Sequence, residues 1–183
     1  MLRHAKDCSQ PRHQPGWLHR PSRRLGRFPV YAEGLLDGTF FKAVDTALMG
    51  RKTLEAGLKM SGGSLPDYSI AYYVFSRSKP PGKCDGWTFV DESPASFVAK
   101  LRKRPGKDIW LMGGGELVLD FLKADLVDEL HLGIVPVLLG EGIPLFPSGF
   151  PQRDFALAEN KTYSKGMIAP KYKRARLKAK RTS

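Results

Sequence analysis

Short apolar runs alternate along this chain with amphipathic segments, and two of the runs stop at a glycine that leads directly into helix-forming residues. "TALMG" (46–50) precedes "RKTLEAGL", and "IWLM" (109–112) precedes "GGGELVLDFLKADL". Apolar runs bounded by turn residues are typical of buried strands, and strands that alternate with helices indicate a mostly parallel sheet. Because such a sheet is covered by helices on both faces, we predict a three-layer α/β/α domain.

The other segments extend this pattern. Ser93 followed by Pro94 predicts a capped helix start, and Leu117, Phe121 and Leu122 predict the inner face of a later helix. "FALAENKTYS" and "GMIAPKYKRARL" predict a terminal antiparallel hairpin, in which Pro170 indicates an edge or a bulge because proline cannot donate a ladder hydrogen bond. The predicted strands cover 46–50, 69–76, 87–90, 109–112 and 127–140, and the predicted helices cover 32–44, 51–58, 93–104 and the residues after 115.

The net charge of +12 lies at the two ends of the chain. Residues 1–30 carry +6 and residues 161–183 carry +9, which leaves −3 for residues 31–160. A basic tail such as "KYKRARLKAKR" is commonly solvated, so a nucleic-acid-binding module is the least favoured function and we expect no nucleic-acid partner. Two cysteines are too few for a disulfide framework or a thiolate zinc site, and we expect no metal. Without an apolar run of about 18 residues, we expect a cytoplasmic protein and no membrane partner.

Three turns after predicted strands carry groups that suit an anionic ligand. Glycines 113–115 open a helix, whose free N–H groups favour phosphate, and residues 50–53 ("GRKT") repeat the arrangement with two cations. "SRS" (76–78) adds hydroxyls and a guanidinium. The alternative interpretations are a tight packing turn for residues 113–115 and a solvated basic corner for residues 50–53, and residues 76–78 are a weaker signal by themselves. Because ligands bind at the carboxyl ends of strands in open α/β sheets, the co-occurrence of the three turns favours a binding site.

"FFKAVDTALMGRKTLE", "YYVFSRS" and "DIWLMGGGELVLDFLKADLVDELHLGIVPVLLGEGIPLF" resemble the dihydrofolate reductase-like family that includes the RibD C-terminal reductase domain of riboflavin biosynthesis. The resemblance covers about residues 33–175. It implies a mixed, mostly parallel sheet, NADPH as hydride donor, a pyrimidine-like or pterin-like substrate, as in 5-amino-6-(5-phosphoribosylamino)uracil reductases, and a homodimer. The cofactor-binding residues that it implies are Gly50, Arg51, Lys52, Thr53, Ser76, Arg77, Gly113, Gly114, Gly115, Glu116 and Leu117.

The chain departs from the riboflavin enzymes at several points. Met112 stands where they place a glutamate, "GRKT" replaces their longer Thr-and-Asp signature, and no zinc deaminase motif is present. The resemblance therefore implies a stand-alone reductase whose natural substrate the sequence does not identify. No catalytic residue is assigned, because Glu129 and His131, on a predicted strand, are better explained by structure or solvent.

The first 30 residues lack the Ser-Leu-Asp-Gly strand with which such reductases begin. We expect three regions: an atypical basic segment (1–30), a reductase domain (31–176) and a basic tail (177–183). "HQPGWLHRPSRRLG" (13–26) is compatible with a frame error, since re-reading its codons one base later can yield Ile-Ser-Leu-Asp-Gly-Tyr-Ile-Ala. A disordered basic arm and a transit peptide are the alternatives. A loss of the first strand would leave an NADP-binding protein without turnover.

The frame hypothesis predicts that the nucleotide sequence encodes Ser-Leu-Asp-Gly in an alternate frame across residues 14–17. Sequencing the coding DNA tests this directly. An alternate frame without that motif rules the hypothesis out and leaves the basic arm and the transit peptide.

Overall fold

A computed structural model describes residues 38–84 and 86–175. These residues form four helices, eight strands and one 3₁₀ turn. In chain order they are α1 (Gly38–Ala43), β1 (Val44–Gly50), α2 (Arg51–Met60), β2 (Ala71–Phe75), β3 (Gly82–Cys84), β4 (Trp87–Val90), α3 (Pro94–Leu101), β5 (Asp108–Gly113), α4 (Gly115–Lys123), β6 (Glu129–His131), β7 (Phe155–Thr162), the 3₁₀ turn (Ser164–Gly166) and β8 (Ile168–Arg174).

The strands form two sheets. The larger sheet has the order β3-β4-β2-β1-β5, and the smaller antiparallel sheet has the order β6-β8-β7. In the larger sheet β1 lies between β2 and β5, both parallel to it, and β4 is parallel to β2. The predicted α/β class and the terminal hairpin, β7 with β8, are confirmed.

Apolar side chains cover both faces of the parallel sheet. Ala47, Met49 and Val74 belong to a buried cluster that includes Leu54 of α2. Leu48 belongs to a second cluster with residues of α3 and α4 such as Phe97 and Phe121. Since successive residues of β1 point to opposite faces, its continuous apolar run is what a strand buried on both sides requires. The three-layer arrangement is therefore confirmed.

Local signals predicted the helix starts well. Ser93 caps α3 as expected, with its hydroxyl accepting a hydrogen bond from the Ser96 N–H at 3.2 Å. The helix ends at Leu101 rather than at Arg104. In the first predicted helix, the described part ends at Ala43 because Val44 already belongs to β1; residues 32–37 lie outside the described residues.

The predicted strand 127–140 is wrong over most of its length. The strand β6 covers only three residues, and pairing returns at a single bridge between Ile134 and Ile168. Pro170 explains the interruption: its carbonyl accepts from the Leu132 N–H at 3.1 Å, but proline has no N–H to return the second bond of the pair. Beyond the bridge, Pro136 also lacks an N–H.

Pro170 itself lies in the central strand of the smaller sheet, so its predicted edge position is wrong. The bulge nearby is in β7, between Leu157 and Glu159, rather than at the proline. Pro170 is tolerated in this central strand because its nitrogen, which carries no hydrogen, faces the end of β6, where the hydrogen-bond ladder stops. The short strand β3, which pairs antiparallel with β4, was not predicted since "KPPGK" indicated only a turn.

Glu129 links β6 to β8 by charge. Its carboxylate lies 3.1 Å from His131 Nε2 and 3.2 Å from each ammonium of Lys171 and Lys173. Partial burial raises the pKa of Glu129, but the hydrogen bonds from His131, Lys173 and Lys171 outweigh it and lower the pKa from 4.5 to about 2. The folded state therefore favours the ionised carboxylate.

We predict that the free energy of unfolding of Glu129→Gln falls less steeply than that of the wild type as the pH is lowered below about 4.5. A carboxyl whose pKa is lowered on folding stabilises the fold above its unfolded pKa, and this contribution disappears as the pH falls from about 4.5 towards 2. Denaturant unfolding at several pH values measures the effect. Glu159→Gln is the control, because the ion pair described for Glu159 is a single one, with Lys161 at 3.6 Å, and both side chains are more than half exposed. Equal acid limbs in wild type and Glu129→Gln contradict the prediction.

Candidate functional site

The three turns singled out in the sequence lie at one edge of the larger sheet. Because β1, β2 and β5 are adjacent and parallel, their carboxyl ends meet there, with Gly50 opposite Phe75 and Met49 opposite Gly113. The turn after β1 starts α2, the turn after β5 starts α4, and the turn after β2 carries residues 76–78. The sheet therefore brings together three turns, of which the outer two begin at residues 50 and 113 of the sequence.

The turn after β1 exposes the N-terminus of α2 without a side-chain cap. Gly50 is the N-cap residue, and the first turn contains no acidic residue. Its dihedral angles, φ −83° and ψ 159°, suit any residue, and among the described atoms a Cβ there would meet nothing within 4 Å. The first backbone N–H groups of α2 thus lie beside open space, where the helix dipole favours an anion.

The cations of this turn differ in their surroundings. Arg51 forms an ion pair with Glu55 one helical turn later, whereas the side chain of Lys52 is 82% exposed and extends towards the other turns. Thr53 approaches the glycine turn, since a Cβ on Gly114 would lie 3.2 Å from its hydroxyl. The structure therefore places Lys52 and Thr53 at the shared edge and directs Arg51 along its own helix.

The glycine turn after β5 depends on backbone angles that other residues rarely adopt. Gly113 has φ 115° and Gly114 has φ 87°, and Gly114 is the N-cap of α4 without a side-chain cap. A second uncapped helix N-terminus thus lies at the edge. The side chain of Leu117 is buried in the core between α4 and the sheet, so only its backbone is available to a ligand.

In the turn after β2, Ser76 is buried and organises the backbone. Its N–H donates to the carbonyl of Val90 at 3.0 Å, and its hydroxyl oxygen accepts from the N–H groups of Ser78 and Lys79 at 3.3 and 3.1 Å. Arg77 projects from this turn with its side chain 96% exposed. The structure assigns Ser76 to holding the turn and Arg77 to the surface of the shared edge.

Glu116 connects the three turns electrostatically. Its two carboxylate oxygens lie 3.8 Å from Lys52 Nζ and 3.7 Å from Arg77 Nη2. One acid from the turn after β5 thus faces a cation from each of the other two turns. These exposed pairs contribute little to stability. They show that Lys52 and Arg77 both reach the same point, where a negatively charged group fits.

A fourth segment reaches the glycine turn and was not predicted as part of the site. A Cβ on Gly115 would lie 3.0 Å from the carbonyl oxygen of Pro144 and 3.3 Å from Cγ of Pro147. Pro144 and Pro147 therefore lie against the start of α4. Both prolines belong to the string "GEGIPLFP" (140–147), but no rule of local structure assigns that string a position.

Residues 38–84 and 86–175 contain no group of three histidine, cysteine or carboxylate side chains placed to hold a metal ion. Their helices are all too short or too polar to cross a bilayer.

Comparisons with known proteins agree with this architecture. The model of the RibD C-terminal domain matches residues 39–169. Among curated proteins of Bacillus subtilis (strain 168), YwjB is 40% identical over 107 residues, which span 58% of this chain and 61% of YwjB. YyaP is 36% identical over 140 residues, which span 70% of this chain and 73% of YyaP. The matched part thus covers less than two thirds of YwjB and more than two thirds of YyaP.

Solved structures share the fold. A Shewanella sp. PV-4 protein named for riboflavin biosynthesis superposes with a TM-score of 0.68 at 26% identity, over 81% of this chain and 83% of the other. A pyrimidine reductase-like protein of Corynebacterium diphtheriae has a TM-score of 0.55 at 16% identity, over 73% and 77% of the two chains, and supports the fold alone. Since the domain model covers most of the residues that form both sheets, the chain belongs to the RibD C-terminal domain family.

Proposed function

We propose that this protein is an NADPH-dependent reductase that transfers a hydride to a pyrimidine-like or pterin-like ring. The observation that carries the proposal is the meeting of three turns at one sheet edge, with Lys52 and Arg77 both within 4 Å of the Glu116 carboxylate. The RibD C-terminal family, and the structural neighbour at 26% identity that is named for riboflavin biosynthesis, support the same class of chemistry.

The residues at this edge fit a phosphorylated dinucleotide. The uncapped N-termini of α2 and α4 supply backbone N–H groups for phosphate oxygens, and the space beside Gly50 allows close approach. Lys52 and Arg77 supply two cations from different turns, as an extended ligand with several phosphates requires. When bound, NADPH supplies the hydride.

We assign different tasks to the residues of the site. Arg77 binds the 2′-phosphate, which NADH lacks, and its guanidinium can do so through two parallel hydrogen bonds. Ser76 fixes the turn from which Arg77 projects. Lys52 and the backbone of residues 50–53 and 113–117 bind the other phosphates, and Thr53 orients its helix start against Gly114. The protein thereby holds the cofactor by its phosphates along the ends of three strands.

Cofactor binding without turnover is the second candidate function. The observation that favours it is that the strands of residues 38–84 and 86–175 divide into two sheets, with β5 and β6 as terminal strands among them. A substrate pocket that needs both sheets would be incomplete in such a molecule. Oxidation of NADPH in the presence of dihydrofolate or an aminouracil distinguishes the two functions, since turnover excludes the second.

We predict that Arg77→Ala raises the dissociation constant for NADPH by roughly tenfold or more and changes that for NADH by much less. Losing a charge-assisted contact to phosphate costs about 1.5–3 kcal/mol, and only NADPH makes that contact. Isothermal titration with both cofactors measures it. Arg104→Ala is the matched control, because Arg104 is exposed and precedes β5 at the opposite end of that strand. Equal losses for both cofactors contradict the assignment of Arg77.

We predict that Glu116→Gln tightens NADPH binding a few-fold. The carboxylate of Glu116 pairs with Lys52 and Arg77 and repels phosphate, so removing its charge frees both cations for the ligand. The salt dependence of the dissociation constant gives an independent check. Weaker binding by Glu116→Gln means that the carboxylate itself contacts the cofactor, for example through a ribose hydroxyl.

We also propose that the protein is a homodimer. Residues 134–146 expose a run of apolar side chains, among them Leu138 at 100% and Ile143 at 92% exposure. Exposed apolar patches of this kind mark interaction surfaces. Sedimentation equilibrium is expected to give twice the monomer mass, and Leu138→Asp with Ile143→Asp is expected to shift it towards the monomer. A monomeric wild type at micromolar concentration contradicts the proposal.

A further inference from the structure

An irregular segment connects the smaller sheet to the candidate cofactor site. It follows the bridge between Ile134 and Ile168, and it reaches the glycine turn through Pro144 and Pro147. Residues 135–154 contain no strand or helix. An irregular segment of this length inside a compact domain is commonly a binding loop. Because the glycine turn follows β5, the terminal strand among those described in the larger sheet, the segment lies at the β5 end of the three turns.

The three turns are too closely spaced to hold a whole dinucleotide. They follow β2, β1 and β5, which are neighbours in the sheet, so they span two strand spacings, or roughly 10 Å. An extended dinucleotide is longer than this distance. One half of it must therefore continue beyond the turns or fold over a face of the sheet.

The assignment of Arg77 determines which half continues. The inference rests on the proposed function, in which Arg77, after β2, binds the 2′-phosphate of the adenosine half. The uncapped starts of α2 and α4, after β1 and β5, bind the other phosphates. The nicotinamide half then emerges on the β5 side, where the irregular segment lies against Gly115.

The composition of the segment suits a ring rather than a phosphate. Residues 142–151 ("GIPLFPSGFP") contain no charged side chain, and three of them are prolines. Proline has no N–H to donate to a phosphate oxygen, and its fixed φ limits the conformations of a stretch that has no ladder to hold it. The segment is therefore apolar and partly preorganised.

Two apolar side chains lie between the prolines that approach α4. Pro144 places its carbonyl oxygen 3.0 Å from the position of a Cβ on Gly115, and Pro147 places its Cγ 3.3 Å away. Between them, Leu145 is 53% exposed and Phe146 is 39% exposed. Exposed apolar surface thus lies next to the helix start assigned to phosphate, where its burial by a ligand would favour binding.

We propose that residues 144–147 form the nicotinamide end of the cofactor site, and that Phe146 packs against the nicotinamide ring of NADPH with Leu145 beside it. The reduced ring carries no charge, so an apolar wall binds it without burying an unpaired ion. Contact between two rings adds to the apolar burial. Phe146 is thus a binding residue for the reacting half of the cofactor, although it lies outside the three turns.

The test compares the whole cofactor with its adenosine half. Adenosine 2′,5′-bisphosphate keeps the 2′-phosphate of NADPH and lacks the nicotinamide. In isothermal titration of the full chain, Phe146→Ala is expected to raise the dissociation constant for NADPH by roughly fivefold or more. The dissociation constant for the bisphosphate is expected to stay within about twofold, because the bisphosphate does not reach the segment.

Leu138→Ala is the matched control. Leu138 belongs to the same irregular segment and is 100% exposed, but it precedes both prolines that approach α4. It also belongs to the apolar run proposed for the homodimer, so an effect transmitted through assembly would appear in this variant too. We expect Leu138→Ala to bind both ligands as the wild type does.

Hydrogen exchange of the wild type adds a measurement that needs no variant. NADPH is expected to slow exchange in residues 145–150 several-fold, because the ligand covers them. The bisphosphate is expected to leave this exchange unchanged. Unslowed exchange with saturating NADPH overturns the inference, and it means that the nicotinamide half folds over a face of the sheet.

Three results of the titrations also overturn the inference. The first is an unchanged affinity of Phe146→Ala for NADPH. The second is an equal loss for NADPH and the bisphosphate, which means that Phe146 supports the site as a whole. The third is an equal loss in Phe146→Ala and Leu138→Ala, which means that assembly is responsible. A wild type that binds neither ligand overturns the proposed function and this inference with it, whereas the other results leave the proposed function intact.

Discussion

The parallel pairing of β1 with both β2 and β5 is the constraint on which the other features depend. It turns the carboxyl ends of three strands to one edge, and it buries β1 so completely that Ala47 and Leu48 have no exposed surface. A parallel strand must return through a crossover: α2 forms the one from β1 to β2, and α3 lies in the one that leads to β5. These two helices, together with α4 after β5, cover the two faces of the sheet. The same pairing thus produces the core and the candidate site.

Much of this arrangement follows from local sequence. The continuous apolar run of β1, the Ser93 cap and the apolar stripe of α4 each have one favoured conformation, and all three are present in the structure. The meeting of the three turns was also predictable, because the ends of neighbouring parallel strands share an edge whatever their separation along the chain.

Long-range effects account for what the sequence did not reveal. The end of β6 is determined by Pro170, almost 40 residues later, through one missing donor opposite Leu132. The packing of Pro144 and Pro147 on Gly115 and the two ion pairs of Glu116 likewise depend on the tertiary fold. Alternation along "VDELHLGIVPVLLG" could not reveal its partner strand, and the partner decides where the ladder stops.

The structural reasons for glycine differ between the starts of α2 and α4. Gly114 needs its positive φ, and a Cβ on Gly115 would lie only 3.0 Å from the carbonyl oxygen of Pro144. Neither cause applies to Gly50, whose backbone is ordinary and whose surroundings among the described residues are open. A methyl group there would clash with none of the described atoms and would mainly obstruct a bound ligand. At position 50, the space that a ligand needs is thus distinct from the space that the fold needs. A substitution there among relatives would indicate a change of ligand rather than of structure.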